Sequence, residues 1–223
     1  MENKMSRREL FRRYALFIIS LFISALGVAV TKRGELGVSP ISSAANVMSM
    51  KFTALSLGSW LIIWNCVLIA GQIALLRRNF KPIQLLQVPL SFLFGWFTDI
   101  GTCIAGLLPV SGYISRLGAV LCGTVILGFG ISLSVAANVI MNSGEAFVKA
   151  VSDVSGKEFG NVKVIFDISC VTFAAVLSLI LFGFKIVGLR EGTVIAALLT
   201  GVCVKFFTRL SKEKPDRLLS DNT

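Results

Sequence analysis

The sequence predicts an all-α fold: a polytopic membrane helix bundle of six transmembrane helices, arranged as two inverted three-helix repeats. Each repeat carries one short helix that is non-spanning or re-entrant. Three observations carry this. Of 223 residues, 55% are hydrophobic and only 15% charged, with a mean hydropathy of +0.81. Apolar runs long enough to cross hydrocarbon recur along nearly the whole chain, whereas a soluble chain of this length carries polar faces on most helices. Two polar, glycine-interrupted passages, Lys32 to Gly58 and Asn138 to Gly160, hold corresponding places between those runs.

The first apolar run follows the basic N-terminus MENKMSRRELFRR and extends from Tyr14 to Thr31. It resembles a signal peptide in its charge, but it shows no clear small-residue cleavage site and is long enough to span, so it is expected to be retained as the first helix. Five further spans are expected near 58–76, 83–108, 116–138, 163–184 and 190–207. The third is expected to run out early, since Asp99 and Gly101 near its end precede Pro109 and Gly112. The chain thus divides into a basic N-terminus (1–13), a first membrane repeat (14–108), an external connector (109–115), a second repeat (116–207) and a polar tail (208–223).

Charge sets the topology. The net charge of +10 lies at the ends of apolar runs and forms no basic face, which argues for a membrane and against nucleic acid as partner. With the N-terminus inside, one side receives Lys4, Arg7, Arg8, Arg12, Arg13, Arg77, Arg78, Lys81, Lys149, Lys157, Lys163, Lys205, Arg209, Lys212, Lys214 and Arg217. The other receives Lys32, Arg33, Lys51, Arg116, Lys185 and Arg190. The positive-inside rule therefore predicts that both termini are cytoplasmic.

The two polar passages each predict one short helix. In the first, Ser39 is placed to cap with Pro40 at the first helical position, and Ile41, Ala44, Ala45 and Met48 share a face. In the second, Ser143 is placed to cap, Ala146, Phe147, Ala150, Val151 and Val154 form the apolar face, and Gly156 ends the helix. A helix of about 12 residues is about 18 Å long, too short for a hydrocarbon core of about 30 Å. Each either lies on the interface or dips in and returns.

Offsetting the chain by about a hundred residues aligns Leu26-Gly27 with the Leu127 to Gly130 region, Leu57-Gly58 with Phe159-Gly160, and Asn65 with Asp167. Three crossings per unit is an odd number. The second unit then enters the membrane from the opposite side, which predicts a pseudo-twofold axis in the membrane plane.

The run ALGVAVTKRGELGVSP, followed by a short polar helix and then LSLGSW opening the next span, resembles the bacterial YczE/YitT-like integral membrane proteins. The likeness covers Leu16 to Phe207 and rests on a glycine-rich first helix, an L-G-x-x-P motif and a later glycine that begins the second helix. Ile41 follows the proline where relatives often carry tryptophan, so no role of that aromatic is carried over. The resemblance implies a bacterial inner (plasma) membrane location and permits transport without naming a cargo.

Histidine is absent, and the five cysteines, Cys66, Cys103, Cys122, Cys170 and Cys203, stand singly in apolar runs. This argues against an enzyme, a metal site or a disulfide framework, and no cofactor is expected. Acidic residues in apolar spans are the sharpest signal, because each costs about 3 kcal/mol at a helix centre on insertion scales. Asp167 and Asn65 are expected either to form a polar ligand-binding pair, or to separate, with Asp167 held by Lys163 at i and i+4. Asp99 either gates the outer mouth or ends its helix at the interface. Glu145 and Asp153, flanking Lys149, are read as a solvated face.

Pro40, Ser43 and Asn46 from the first passage, with Asn138 and Ser143 from the second, complete the candidate path; the two asparagines are also suited to bond open backbone groups. The function this predicts is a secondary transporter or facilitator of a small polar solute or ion by alternating access. The alternative is a non-transporting membrane protein that regulates or scaffolds a partner. The lipid bilayer is the obligatory partner, and a homodimer is compatible with the chain's size.

Overall fold

The computed structural model describes residues 6–211, except for the side chain of Ser211. Lys4, Lys212, Lys214, Arg217 and most of the polar tail lie outside the described residues. Among the described residues eight α-helices are formed: α1 (Arg7–Arg33), α2 (Ser43–Lys51), α3 (Leu57–Leu76), α4 (Gln87–Gly106), α5 (Tyr113–Ala137), α6 (Ser143–Ser155), α7 (Phe159–Leu181) and α8 (Glu191–Ser211). Six of them, all but α2 and α6, are long and apolar enough to cross a membrane, which is the expected all-helical, six-span class.

Helix boundaries depart from the apolar runs where polar residues are good helix formers. α1 begins at Arg7, where the Ser6 hydroxyl accepts from the Arg8 N–H at 3.4 Å. An Arg13–Glu9 pair at 2.8 Å bridges one turn of this polar extension. Hydropathy marks the part that crosses hydrocarbon, and the helix itself continues while propensity and capping allow. The third span opens as a 3-10 turn over Pro82–Leu86 before α4. Gly101 does not end it. That glycine lies against α1, where an added Cβ would sit 3.1 Å from the Ala29 Cβ, and the helix continues to Gly106.

The core is the antiparallel pair α1 and α5. Gly27 faces Leu127, Thr31 faces Gly123 and Ser24 faces Gly130, so the numbering of one helix falls as the other rises. Without a hydrophobic drive between helices in lipid, close backbone approach at small residues supplies the contact energy. Around this pair the packing is reciprocal. α1 packs on α4, and α5 packs on α8; α2 packs on α7, and α6 packs on α3.

The reciprocity stops at one place. α3 and α4 meet closely at Gly58 and Gly95, whereas α7 and α8 touch little, and Gly160, the residue aligned with Gly58, has open space beside it.

Both short helices are packed among the long ones at their N-terminal ends. Leu36, Val38, Ser39, Pro40 and Ser42 to Val47 are buried, a burial that an amphipathic helix resting on an interface does not reach along its length. The Ile41 side chain reaches Gly144, where an added Cβ would lie 2.8 Å from its Cδ1. The two polar passages therefore meet.

Two details of capping differ from expectation. Ser39 does precede Pro40, but its hydroxyl bonds the Ser42 hydroxyl at 2.9 Å and caps no N–H; the Ser42 N–H bonds the Ser39 carbonyl instead, at 3.0 Å. Asn142, one residue before Ser143, caps α6, its Oδ1 accepting from the Ser143 N–H at 3.2 Å. Asparagine sits among the best caps, and placing it at the boundary leaves Ser143 free to bond across helices. The buried face of α6 is also rotated from the expected one: Gly144, Ala146, Val148 and Ala150 are buried, while Val154 is 59% exposed. Gly156 ends the helix at φ +67, as expected.

Candidate functional site

Two polar regions lie among the apolar helices. The first surrounds the start of α6. Gln72 of α3 and Gln87 of α4 exchange side-chain amide bonds at 3.1 and 3.2 Å, and Gln72 Nε2 also donates to the Ser143 carbonyl at 3.1 Å. The hydroxyls of Ser91 and Ser143 lie 3.1 Å apart, and Ser91 donates to the Gln87 carbonyl at 2.7 Å. All four residues are buried. Each buried amide or hydroxyl finds a partner, as burial away from water requires. Sequence reading found Ser143 here and missed Gln72, Gln87 and Ser91, because residues from three elements carry no shared spacing.

The second region is a cavity of about 320 Å³ at the end of α1, lined by residues that include Lys32, Arg33, Glu35, Asn46, Met50, Thr102 and Gly188. Asn46 is 4% exposed. Its Nδ2 donates to the Gly188 carbonyl at 3.1 Å, while its Oδ1 is buried with no partner. Gly188 has φ +80, which presents that carbonyl from a tight turn between α7 and α8. Arg33 places Nε and Nη2 on the Leu108 carbonyl at 3.2 and 2.9 Å, and Glu35 pairs with Arg116 at 3.0 Å. Among the described residues the Lys32 ammonium makes no hydrogen bond or ion pair, and Asp99 lies within electrostatic reach of it.

The remaining candidates separate. Pro40 and Ser43 are buried, and the Ser43 hydroxyl donates to the Ser39 carbonyl at 3.1 Å, so both shape the turn into α2. Asn138 is exposed and left-handed, φ 48 and ψ 42, closing α5; Arg13 Nη1 donates to the neighbouring Ala137 carbonyl at 3.3 Å, where a cation complements the helix C-terminus. Asp99 does not terminate α4, which continues to Gly106. Its Oδ1 accepts the Gly58 N–H at 2.9 Å and its Oδ2 the Ser56 hydroxyl at 2.6 Å, so it caps α3 from a neighbouring helix.

Asp167 bonds Lys163 at 2.7 Å, the i and i+4 pairing, and no hydrogen bond joins it to the buried Asn65. Glu145 departs from the solvated reading. Lys149 pairs with Asp153 at 3.1 Å, and Glu145 turns inward toward α7 with its Oε2 buried and unpartnered. Burial pushes its carboxyl above the ordinary range of 4.5, and the Lys163 charge opposes that rise. A carboxyl raised in the fold contributes stability below its unfolded value that is lost as pH rises through the folded one. As pH rises from below the ordinary carboxylate value through the raised one, the melting temperature of the parent chain is expected to fall relative to that of Glu145→Gln. Parallel melting curves would remove this assignment.

The comparisons agree with the architecture. A protein of Bacillus subtilis (strain 168) described as an uncharacterized membrane protein, YczE, is 26% identical over 202 residues, covering 90% of this chain and 87% of its own length. This supports the YczE-like resemblance carried by the first helix and its L-G-x-x-P motif. No solved structure matches. The chain is an integral membrane protein, and because the model of a family described as of unknown function, DUF6198, matches residues 11–209, it belongs to that family.

Proposed function

We propose that this chain is a secondary transporter or facilitator of a small polar solute, working by alternating access between two inverted units, α1–α4 and α5–α8. The observation that carries the reading is the meeting of two interrupted passages among six long apolar helices, with Ile41 against Gly144 and buried hydroxyl and amide groups on either side. Non-spanning backbone at such a place is tolerated where protein or a cavity satisfies it, and transporters set their solute sites there. The reciprocal packing around the antiparallel α1 and α5 supports the two-unit description.

The reading assigns no catalytic step to the chain. It places the protein in a bacterial inner membrane with both termini in the cytoplasm. In that orientation Arg77, Arg78 and Lys81 face the cytoplasm, and the Lys32 cavity opens outward.

The test is uptake into sealed proteoliposomes, using radiolabelled amino acids, hydroxy acids, inorganic cations and vitamins. Uptake of one class above protein-free vesicles, with counterflow on preloading, is the expected result. If nothing in the panel moves, transport is lost. Loss of phenotype in cells on neutralising Arg77 and Arg78 would then favour a partner-binding role instead.

A further inference from the structure

The cavity at the end of α1 has an unbalanced set of polar groups. Arg33 is held by the Leu108 carbonyl, Glu35 is paired with Arg116, and the Thr102 hydroxyl donates to the Thr98 carbonyl; Asp99, outside the lining, has both oxygens taken by Ser56 and Gly58. Of the charged side chains lining this space, only that of Lys32 has no bonded partner among the described residues. Opposite in chemistry is the Asn46 Oδ1, an acceptor on a side chain 4% exposed, whose amide nitrogen is already committed to Gly188. The cavity thus offers one free cation and one buried acceptor that lacks a donor. A buried acceptor without a donor is costly, and a ligand that supplies one gains from the pairing.

We propose that this cavity binds a small carboxylate that also carries a hydroxyl or amino donor, with the carboxylate on Lys32 and the donor on Asn46 Oδ1. The volume of about 320 Å³ lies at the lower end for ligand pockets, which fits a compound of about two to four carbons. A plain fatty carboxylate leaves Asn46 unsatisfied, and a plain alcohol leaves Lys32 unsatisfied, so the pair selects for both groups together. The assignment names a solute class for the transport reading and rests on that reading only for its role, not for binding.

The experiment is calorimetric titration of the purified full-length chain in detergent at neutral pH and low salt, with glycolate, glycine, acetate and ethylene glycol as probes. Glycolate or glycine is expected to bind, acetate at least tenfold more weakly, and ethylene glycol not measurably. Lys32→Gln, a change at the cavity rim, is expected to weaken glycolate or glycine at least tenfold. Lys51→Gln, an exposed lysine over the Phe182 ring at 5.3 Å and not in the cavity, leaves binding unchanged.

Acetate binding as tightly as glycolate and glycine, unchanged affinity in Lys32→Gln, or no binding by any probe each overturns the proposal. Binding without vesicle uptake of the same compound removes transport and leaves the site. Uptake of some other solute class, with no carboxylate binding, does the reverse.

Discussion

Gly27→Leu abolishes the fold, in the expectation set by the α1–α5 contact. At Gly27 an added Cβ would lie 2.5 Å from the Leu127 backbone nitrogen, 2.7 Å from its Cα and 2.8 Å from the Gly123 carbonyl oxygen. Every obstructing atom belongs to backbone, so no rotamer change relieves the clash, and the two central helices must move apart. Overpacking against side chains costs about 1–3 kcal/mol, and a backbone obstruction belongs at about 3 kcal/mol or more. Small-residue contact is the main source of helix association in lipid, and total stabilities are only about 5–15 kcal/mol.

The measurement is monodispersity and thermal melting of membrane-extracted protein. Gly201→Leu, where an added Cβ meets nothing within 4 Å, serves as the control and is expected to behave as the parent. A well-folded Gly27→Leu with the parent's melting temperature would show that α1 and α5 do not pack as described.

Asp99→Ala is expected to destabilise by about 1–3 kcal/mol, the range for losing hydrogen bonds to a charged acceptor. The carboxylate bonds the Gly58 N–H and the Ser56 hydroxyl, while the Ser56 hydroxyl itself accepts the Ser59 N–H at 3.0 Å. Its loss leaves one N-terminal donor of α3 open and frees the end of that helix from α4. Part of the site is exposed, so water replaces some of what is lost and the lower half of the range is expected. Ser56→Ala and Asp99→Ala share one hydrogen bond, so the double variant should fall short of the sum of the singles. Strict additivity, or an Asp99→Ala protein that melts with the parent, would remove the capping role.

Much of the bundle was legible in the sequence because the bilayer imposes a length and a polarity on every crossing. The six runs mark six helices, with α1 gaining about two polar turns at its start and α4 beginning four residues late behind a 3-10 turn. The junction of the two polar passages was also legible from their matching places in the chain. The candidate site was legible only in pieces. Asn46 was found by its place in an interrupted passage. Lys32 was counted as a topology signal, and Gly188 gave no sign, since a backbone carbonyl has no side chain to read.

Acidic residues misled most. A carboxylate in an apolar span must find compensation, but composition does not say from where: Asp99 finds it on an N–H of the preceding helix, and Asp167 finds it one turn away. Glu145 shows the converse, since its spacing to Lys149 suits an exposed pair, yet rotation of α6 by its contact with α3 turns the carboxyl inward.

By itself the sequence determined the class, the number of crossings, the two interruptions and the small residues that let helices approach, because these follow from hydrocarbon thickness and from local backbone chemistry. Tertiary structure alone decided which partner each polar group takes and where a cavity remains. Those outcomes depend on the angle and rotation at which helices far apart in sequence meet, and a shift of one residue on a helix turns a side chain by about 100°.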